Sequence, residues 1–182
     1  MPFYPPAEDS YFLTEIIKKQ IKNKNIKCLD LGTGSAIQSK TLIELGIKKQ
    51  NITAIDINPA ALIEAKKLKI KTINSNLFQK TKEKYDLIIF NPPYLPESKY
   101  DSEPDTTGGK NGDEVIIEFI KQLKKHLTKT GKALILTSSL TPNNKWQKLA
   151  NSLDLKIKKL ATKKIFYEEL YVWEINPTLP PQ

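Results

Sequence analysis

The sequence predicts an α/β fold: a mostly parallel sheet of seven strands, one of them reversed near the end, with helices on both faces. Three observations lead there. Short β-branched runs alternate with segments whose apolar residues recur at helical spacing, the pattern of a parallel sheet wound through helices. Residues able to carry chemistry collect where apolar runs end: Gly32 after the first, Asp56 on the second and Asn91 after the fourth. The last two apolar runs are separated by only about six residues, too few for a crossover helix, so they must pair antiparallel.

The elements follow in order. Residues 1–7 are Pro-rich and are expected to form an extended arm. Asp9 and Ser10 are good N-cap types, and Leu13, Ile17 and Ile21 then repeat at helical spacing to about Lys22. Cys28 to Leu31 is a buried strand. Ile37 to Leu45 is a helix stopped by Gly46. Ile52 to Ile57 is a second strand, and Pro59 suits the first turn of a helix that runs to Leu68. Ile70 to Ile73 and Tyr85 to Phe90 are the third and fourth strands. Asn91 to Gly112 is a long loop holding four Pro and three of the seven Gly; loops of that length in compact domains usually carry function. Asp113 is read as the cap of a helix with Ile116, Phe119, Ile120, Leu123 and Leu127 on one face, ended by Gly131. Ala133 to Thr137 is a fifth strand, Asn143 to Leu153 a helix, and Leu155–Lys163 and Leu170–Ile175 the closing strands. Residues 177–182 are expected to fray.

At 182 residues the chain suits one domain over residues 1–182 with a substantial core. No apolar run is long enough for a membrane span, and the N-terminus lacks a basic-then-apolar leader. The single Cys28 excludes an intrachain disulfide and a cysteine-clustered metal site, and no metal ligand set is expected. A reducing, cytoplasmic setting is the resulting expectation. The net charge is +9, and every one of the 29 basic residues is Lys. Such a chain attracts polyanions, but it lacks Arg, the usual bidentate reader of phosphate and guanine, and its lysines are dispersed.

Three constellations carry chemistry. Asp30-Leu31-Gly32-Thr33-Gly34-Ser35-Ala36 turns from a strand into a helix, where glycines let a ligand approach the main chain. Ile37 stands where a dinucleotide fingerprint wants Gly or Ala, so the loop fits a nucleoside better than a dinucleotide. Asp56 ends the next strand, where a carboxylate can accept both hydroxyls of a ribose; Asn58 is the better cap for the following helix. Asn91-Pro92-Pro93-Tyr94 follows the fourth strand. Its prolines stiffen the backbone, so the Asn oxygen and a neighbouring carbonyl can face one planar NH₂ group while Tyr94 stacks on its plane. An amide or an exocyclic amine would satisfy that arrangement.

Together these residues resemble the class I S-adenosylmethionine-dependent methyltransferases with their Rossmann-like fold. Pro6-Ala7-Glu8-Asp9-Ser10 and Gly108-Gly109-Lys110-Asn111-Gly112 are similar to the HemK-type glutamine methyltransferases. The short archaeal and eukaryotic branch, which modifies the Gly-Gly-Gln loop of class-1 peptide release factors, is the narrower likeness, over roughly Tyr4 to Leu136. The resemblance implies S-adenosylmethionine as cofactor. It implies that Asp30 and Gly32 line the methionine end, that Asp56 holds the ribose, and that Gly34 and Asn91 also belong to the cofactor-binding set. Asn76 and Leu77 would flank the adenine, and Ser10 would close over the cofactor. Asn91 and Pro92 would hold the substrate amide, with Tyr94 against its face, and no metal is needed. It also implies a heterodimer with a small zinc-binding activator subunit, placed by us at the edge near Ile52–Ile57 and Ile70–Ile73. Two positions depart from the family pattern. Ala36 replaces a third Gly, and Asn76 replaces an Asp, which predicts weaker cofactor binding. The lone His126, on a helix end, is not expected to act as a base. Two competing readings are a nucleic-acid amino-methyltransferase, which the positive charge favours, and a catalytically silent binding subunit, which only Asn76 supports.

Overall fold

The computed structural model describes residues 5–97 and 106–178. The start of the predicted N-terminal arm, part of the long loop and the end of the predicted tail lie outside the described residues. The elements are α1 (Glu8–Gln20), β1 (Cys28–Leu31), α2 (Ile37–Glu44), a 3₁₀ turn (Lys49–Asn51), β2 (Ile52–Asp56), α3 (Pro59–Lys67), β3 (Lys71–Asn74), β4 (Tyr85–Phe90), α4 (Glu114–His126), β5 (Leu127–Ser138), α5 (Asn144–Ser152), β6 (Leu155–Lys164) and β7 (Glu169–Pro177).

All seven strands form one sheet in the order β3-β2-β1-β4-β5-β7-β6. β7 runs antiparallel to both β5 and β6, and the other neighbours are parallel. The chain steps outward through β1, β2 and β3, then returns to the middle and steps the other way through β4 and β5. Right-handed crossovers therefore put α2 and α3 on one face and α4 and α5 on the other. α1 packs against α2, and α4 packs against α5. The order reverses between β1 and β4, and ligands of open α/β sheets bind at that point, beyond the carboxyl ends of the strands.

Burial explains why the central strands formed from largely apolar runs. β1 and β2 are buried at every position, whereas the edge strand β3 is not. α4 turns Ile116, Phe119, Ile120 and Leu123 into the core, and each such side chain contributes about 1.5–3 kcal/mol.

Four expectations need correction. Ala7, not Asp9 or Ser10, caps α1; both of those residues lie in its first turn and are buried. Asp113 precedes α4 without a side-chain capping bond. Gly131 does not end α4, because the chain passes directly from His126 into a long β5. The register of β5 on β4 jumps from Tyr85↔Leu127 to Leu87↔Lys132, and a Cβ on Gly131 would meet the Tyr85 carbonyl oxygen at 2.6 Å. Glycine is there because two backbones nearly touch. Finally, β2 cannot be an exposed docking edge, since β3 covers it; the exposed apolar residues on that side are Ile57 and Ile63.

Candidate active site

The turn after β1 brings Gly32 to φ +62° and Gly34 to φ +48°. A Cβ on Gly32 would stand 3.2 Å from the Phe90 ring, so this position needs both the left-handed backbone and the missing side chain. Ala36 caps α2 at φ 59°, a left-handed conformation that favours glycine and strains an alanine.

Two buried acids brace this loop. Asp30 Oδ2 accepts from Thr33 Oγ1 at 2.7 Å, Ser39 Oγ at 2.6 Å and the Ser39 N–H at 3.0 Å. Burial raises its pKa from 3.8 to about 6, against the lowering effect of those donors. Asp56 accepts the Gly34 N–H on Oδ2 at 2.9 Å and the Asn58 N–H on Oδ1 at 2.8 Å. Its pKa is also raised by burial, with the backbone N–H bonds opposing. Each Asp56 oxygen has a further lone pair for a ligand hydroxyl. Asn58 accepts the Ala60 N–H at 3.0 Å, the cap expected from the sequence.

Beyond β3, Asn76 is exposed and Leu77 is half-buried at φ 45°. Asn74, which drew no attention in the sequence, donates from Nδ2 to the backbone oxygens of Asp56 (3.1 Å) and Ile57 (2.9 Å). It ties the β3 end to the β2 end and so fixes the turn carrying Asp56.

On the other side of β1, the Asn91-Pro92-Pro93-Tyr94 segment leaves β4 toward the N-terminal motif. Asn91 Nδ2 donates to Asp9 Oδ2 at 3.0 Å. A carboxylate only accepts, so this contact sets the amide orientation and turns Asn91 Oδ1 away. That oxygen is buried and has no hydrogen-bond partner. The other Asp9 oxygen accepts the Ser10 N–H at 2.6 Å and Ser10 Oγ at 3.2 Å. Gln38 links α1 to α2, donating to the Ser10 carbonyl at 2.9 Å and accepting from Thr14 Oγ1 at 3.0 Å. Asp9 was thus misread as a cap; the signal was available in its place within Pro-Ala-Glu-Asp-Ser, but local helix rules explained it first.

The glycine-rich segment after the long loop packs on the same motif. A Cβ on Gly108 would lie 2.7 Å from the Pro93 carbonyl oxygen, and the Gly108 N–H donates to the Leu95 carbonyl. Pro92 and Tyr94 are buried, with the Tyr94 ring joined to the hydrophobic core. Thr141 Oγ1 holds the Tyr94 carbonyl at 3.1 Å. The structure therefore gathers Ser10, Asp30, Gly32, Gly34, Asp56, Asn76, Leu77, Asn91, Pro92 and Tyr94 at the carboxyl end of the sheet.

Other reactive groups stand apart. His126 precedes β5 at the opposite end, stacked on Phe78 at 4.2 Å with Nδ1 3.0 Å from the Glu83 carbonyl. Burial pushes the Cys28 thiol up to about 12, which makes it an inert core residue. A depression of about 360 Å³ bordered by Gln20, Asn25, Asp86 and Lys132 also lies at that opposite end, away from these chemical groups. Among the described residues, no helix is long and apolar enough to cross a membrane.

Residues 8–167 match the model of the methyltransferase small domain family. A Methanocaldococcus jannaschii protein that carries the provisional name of protein N5-glutamine methyltransferase is 38% identical over 180 residues, covering 93% of this chain and 89% of the relative. The E. cuniculi Mtq2–Trm112 complex, described as responsible for methylating the eRF1 translation termination factor, contains a chain with TM-score 0.79 and 23% identity. That match covers 97% of this chain and 99% of the other. A T. thermophilus 16S rRNA methyltransferase, solved with AdoMet and guanosine, superposes with TM-score 0.66 and 16% identity over 95% of this chain and 44% of its own. Both solved structures have the Rossmann-like architecture described above. The glycine cradle at the β1 tip and the acceptors of Asp56 suit a nucleoside cofactor held across the β1–β2 ends. By sequence the chain belongs to the methyltransferase small domain family, and it is an S-adenosylmethionine-dependent N-methyltransferase.

Proposed function

We propose that the acceptor is the side-chain amide of a protein glutamine, that of the Gly-Gly-Gln loop of a class-1 peptide release factor. The observation that carries this reading is Asn91 Oδ1, a buried acceptor aimed by Asp9 and left without a partner. An unmade buried hydrogen bond costs about 1–3 kcal/mol, and a substrate N–H would relieve it. The name of the M. jannaschii relative and the description of the E. cuniculi complex support the substrate class.

In this reading S-adenosylmethionine supplies an electrophilic methyl group on positively charged sulfur. Gly32, Gly34 and Asp30 shape the methionine end, Asp56 takes the ribose, and Asn76 and Leu77 border the adenine. Ser10 closes the site from α1. An amide nitrogen is a weak nucleophile because its lone pair is shared with the carbonyl. Asn91 Oδ1 and the Pro92 carbonyl would accept its two N–H bonds, hold the nitrogen in line and stabilise the positive charge that develops on it until one N–H proton is lost to solvent, leaving the neutral N-methyl amide. Tyr94 limits the tilt of the amide plane.

The reading includes a partner. A small zinc-binding activator, in a cytoplasmic heterodimer, would cover the β3 edge beside the exposed Ile57 and Ile63. Ile57→Lys with Ile63→Lys should then abolish co-purification and leave the isolated chain's thermal midpoint unchanged. The decisive experiment is methyl transfer from labelled S-adenosylmethionine to the release factor of the same organism, with the activator added. Label is expected on the Gly-Gly-Gln peptide, removable by protease. Label removed by nuclease would shift the assignment to an RNA or DNA amine, the reading favoured by the +9 charge.

A further inference from the structure

The β6–β7 connection is a tight turn, Ile165-Phe166-Tyr167-Glu168, in which the Ile165 N–H donates to the Glu168 carbonyl at 2.9 Å. Its two tip residues are large aromatics, 95% and 96% exposed. Gly, Asn, Asp and Pro are the residues a turn asks for, and aromatic rings gain by burial. Neither local geometry nor packing accounts for Phe166 and Tyr167.

Their position does. Ser138 pairs with Leu170, so the turn projects past the carboxyl ends of the parallel strands, the same end as Asn91. Only β5 separates β4 from the nearer arm of this hairpin, β7. At about 4.8 Å per strand, the tip lies about 10–15 Å to one side of the acceptor position. The opposite flank, β1 to β3, carries the candidate cofactor residues. The hairpin base is also held in register with the Asn91-Pro92-Pro93-Tyr94 segment. Ser139 N–H donates to the Glu169 carbonyl at 2.8 Å, Ser139 Oγ accepts the Glu169 N–H at 3.0 Å, and Thr141 holds the Tyr94 carbonyl. Between the tip and Ser139 lies a depression of about 290 Å³, room for a partner side chain.

We propose that Phe166 and Tyr167 dock the substrate polypeptide, gripping an acidic segment of it beside the loop that presents the acceptor amide. The inference rests on the protein-methylating reading above. Charge identifies the occupant. β6 contains Lys156, Lys158, Lys159, Lys163 and Lys164 and no acid, and none of the five makes an ion pair among the described residues. Lys159 is engaged over the Tyr171 ring at 4.0 Å, while Lys164 borders the depression at the tip and the other lysines lie farther back along β6. A polypeptide follows from the protein-methylating reading, its acidic part lying along β6 and its apolar part against the two rings.

The test compares two acceptors: the intact release factor and a pentapeptide centred on its Gly-Gly-Gln glutamine, whose arms reach only about 7 Å. In the Phe166→Ala/Tyr167→Ala double variant, KM for the intact protein should rise at least tenfold. Its kcat, the pentapeptide KM and the thermal midpoint should stay within error of wild type. Lys158→Glu with Lys164→Glu should raise KM for the protein in the same way. An unchanged KM for the intact protein, while wild type methylates it, would overturn this proposal alone. So would an equal rise for the pentapeptide, or loss of affinity only for a single-stranded RNA dodecamer. Wild-type protein that methylates neither acceptor would overturn the glutamine reading and this proposal with it.

Discussion

The two halves of the sheet treat their buried polar groups in opposite ways. On the β1–β2–β3 side, Asp30 and Asp56 together accept five hydrogen bonds from the glycine loop and the helix starts around it. On the side that begins at β4, all five of the unpartnered buried side-chain atoms of the described structure occur: Asn91 Oδ1, Thr107 Oγ1, both Asp113 oxygens and Glu168 Oε2. Native proteins leave few such atoms, and each needs a reason. The difference teaches that one half is a finished cradle, closed before any ligand arrives, while the other keeps acceptors in reserve for a molecule not yet present. A nucleoside cofactor of constant shape suits the first. A substrate loop that must be recognised, turned over and released suits the second.

The comparison can be broken from either side. Asp30 is the most buried charge-bearing group of the closed half, and its raised pKa means that protonation favours folding. Its contribution is full below about pH 4 and is lost as pH climbs through about 6. Relative to Asp30→Asn, wild type should lose on the order of 3 kcal/mol of stability across that range, read from denaturant midpoints at several pH values. A parallel pH dependence in the two proteins would mean that Asp30 is not the strained acid described.

On the open side, Asp9→Ala removes the group that orients the Asn91 amide. We expect kcat to fall about tenfold or more while cofactor affinity is retained, since a loss of positioning acts on the transition state. Asp9→Asn should recover part of the rate, because its amide oxygen can still accept from Nδ2. Loss of cofactor binding in Asp9→Ala would place Asp9 with the cradle and erase the contrast.

Smaller effects sharpen it further. Asn76→Asp should tighten the cofactor dissociation constant by about threefold, a charged acceptor replacing a neutral one at an exposed position. Calorimetric titration reads this, and an unchanged constant would remove Asn76 from the cofactor site. Ala36→Gly should stabilise the chain by about 0.5 kcal/mol, the relief of a left-handed Ala less the loss of its buried methyl. A lower thermal midpoint would show that the methyl matters more than the backbone.

Much of this was legible in the sequence because short-range rules and tertiary demands coincide there. β1 and β4 fall at the expected residues, since a short, largely apolar run bounded by polar residues suits a central strand. Gly46 and Asn58 act where helix-end chemistry predicts. What stayed hidden depends on partners distant in the chain. Asp9 meets Asn91 across 82 positions, so its helix-cap chemistry concealed its site role. Gly131 resembles a helix stop, but it serves a close passage of β5 beside Tyr85. Asn74 is polar and unremarkable until β3 lies next to β2. The aromatic tip at Phe166 follows no periodicity; only its exposure and its place on the carboxyl rim give it meaning.

The central claim is that Asn91 Oδ1 is held in reserve for the acceptor amide and not for the fold or the cofactor. Asn91→Ala tests it when one sample is used both for calorimetric binding of S-adenosylmethionine and for single-turnover methyl transfer. The account predicts a cofactor dissociation constant within about threefold of wild type and a transfer rate lower by about 10²–10³. Cofactor binding and transfer lost together, or transfer preserved, would contradict it.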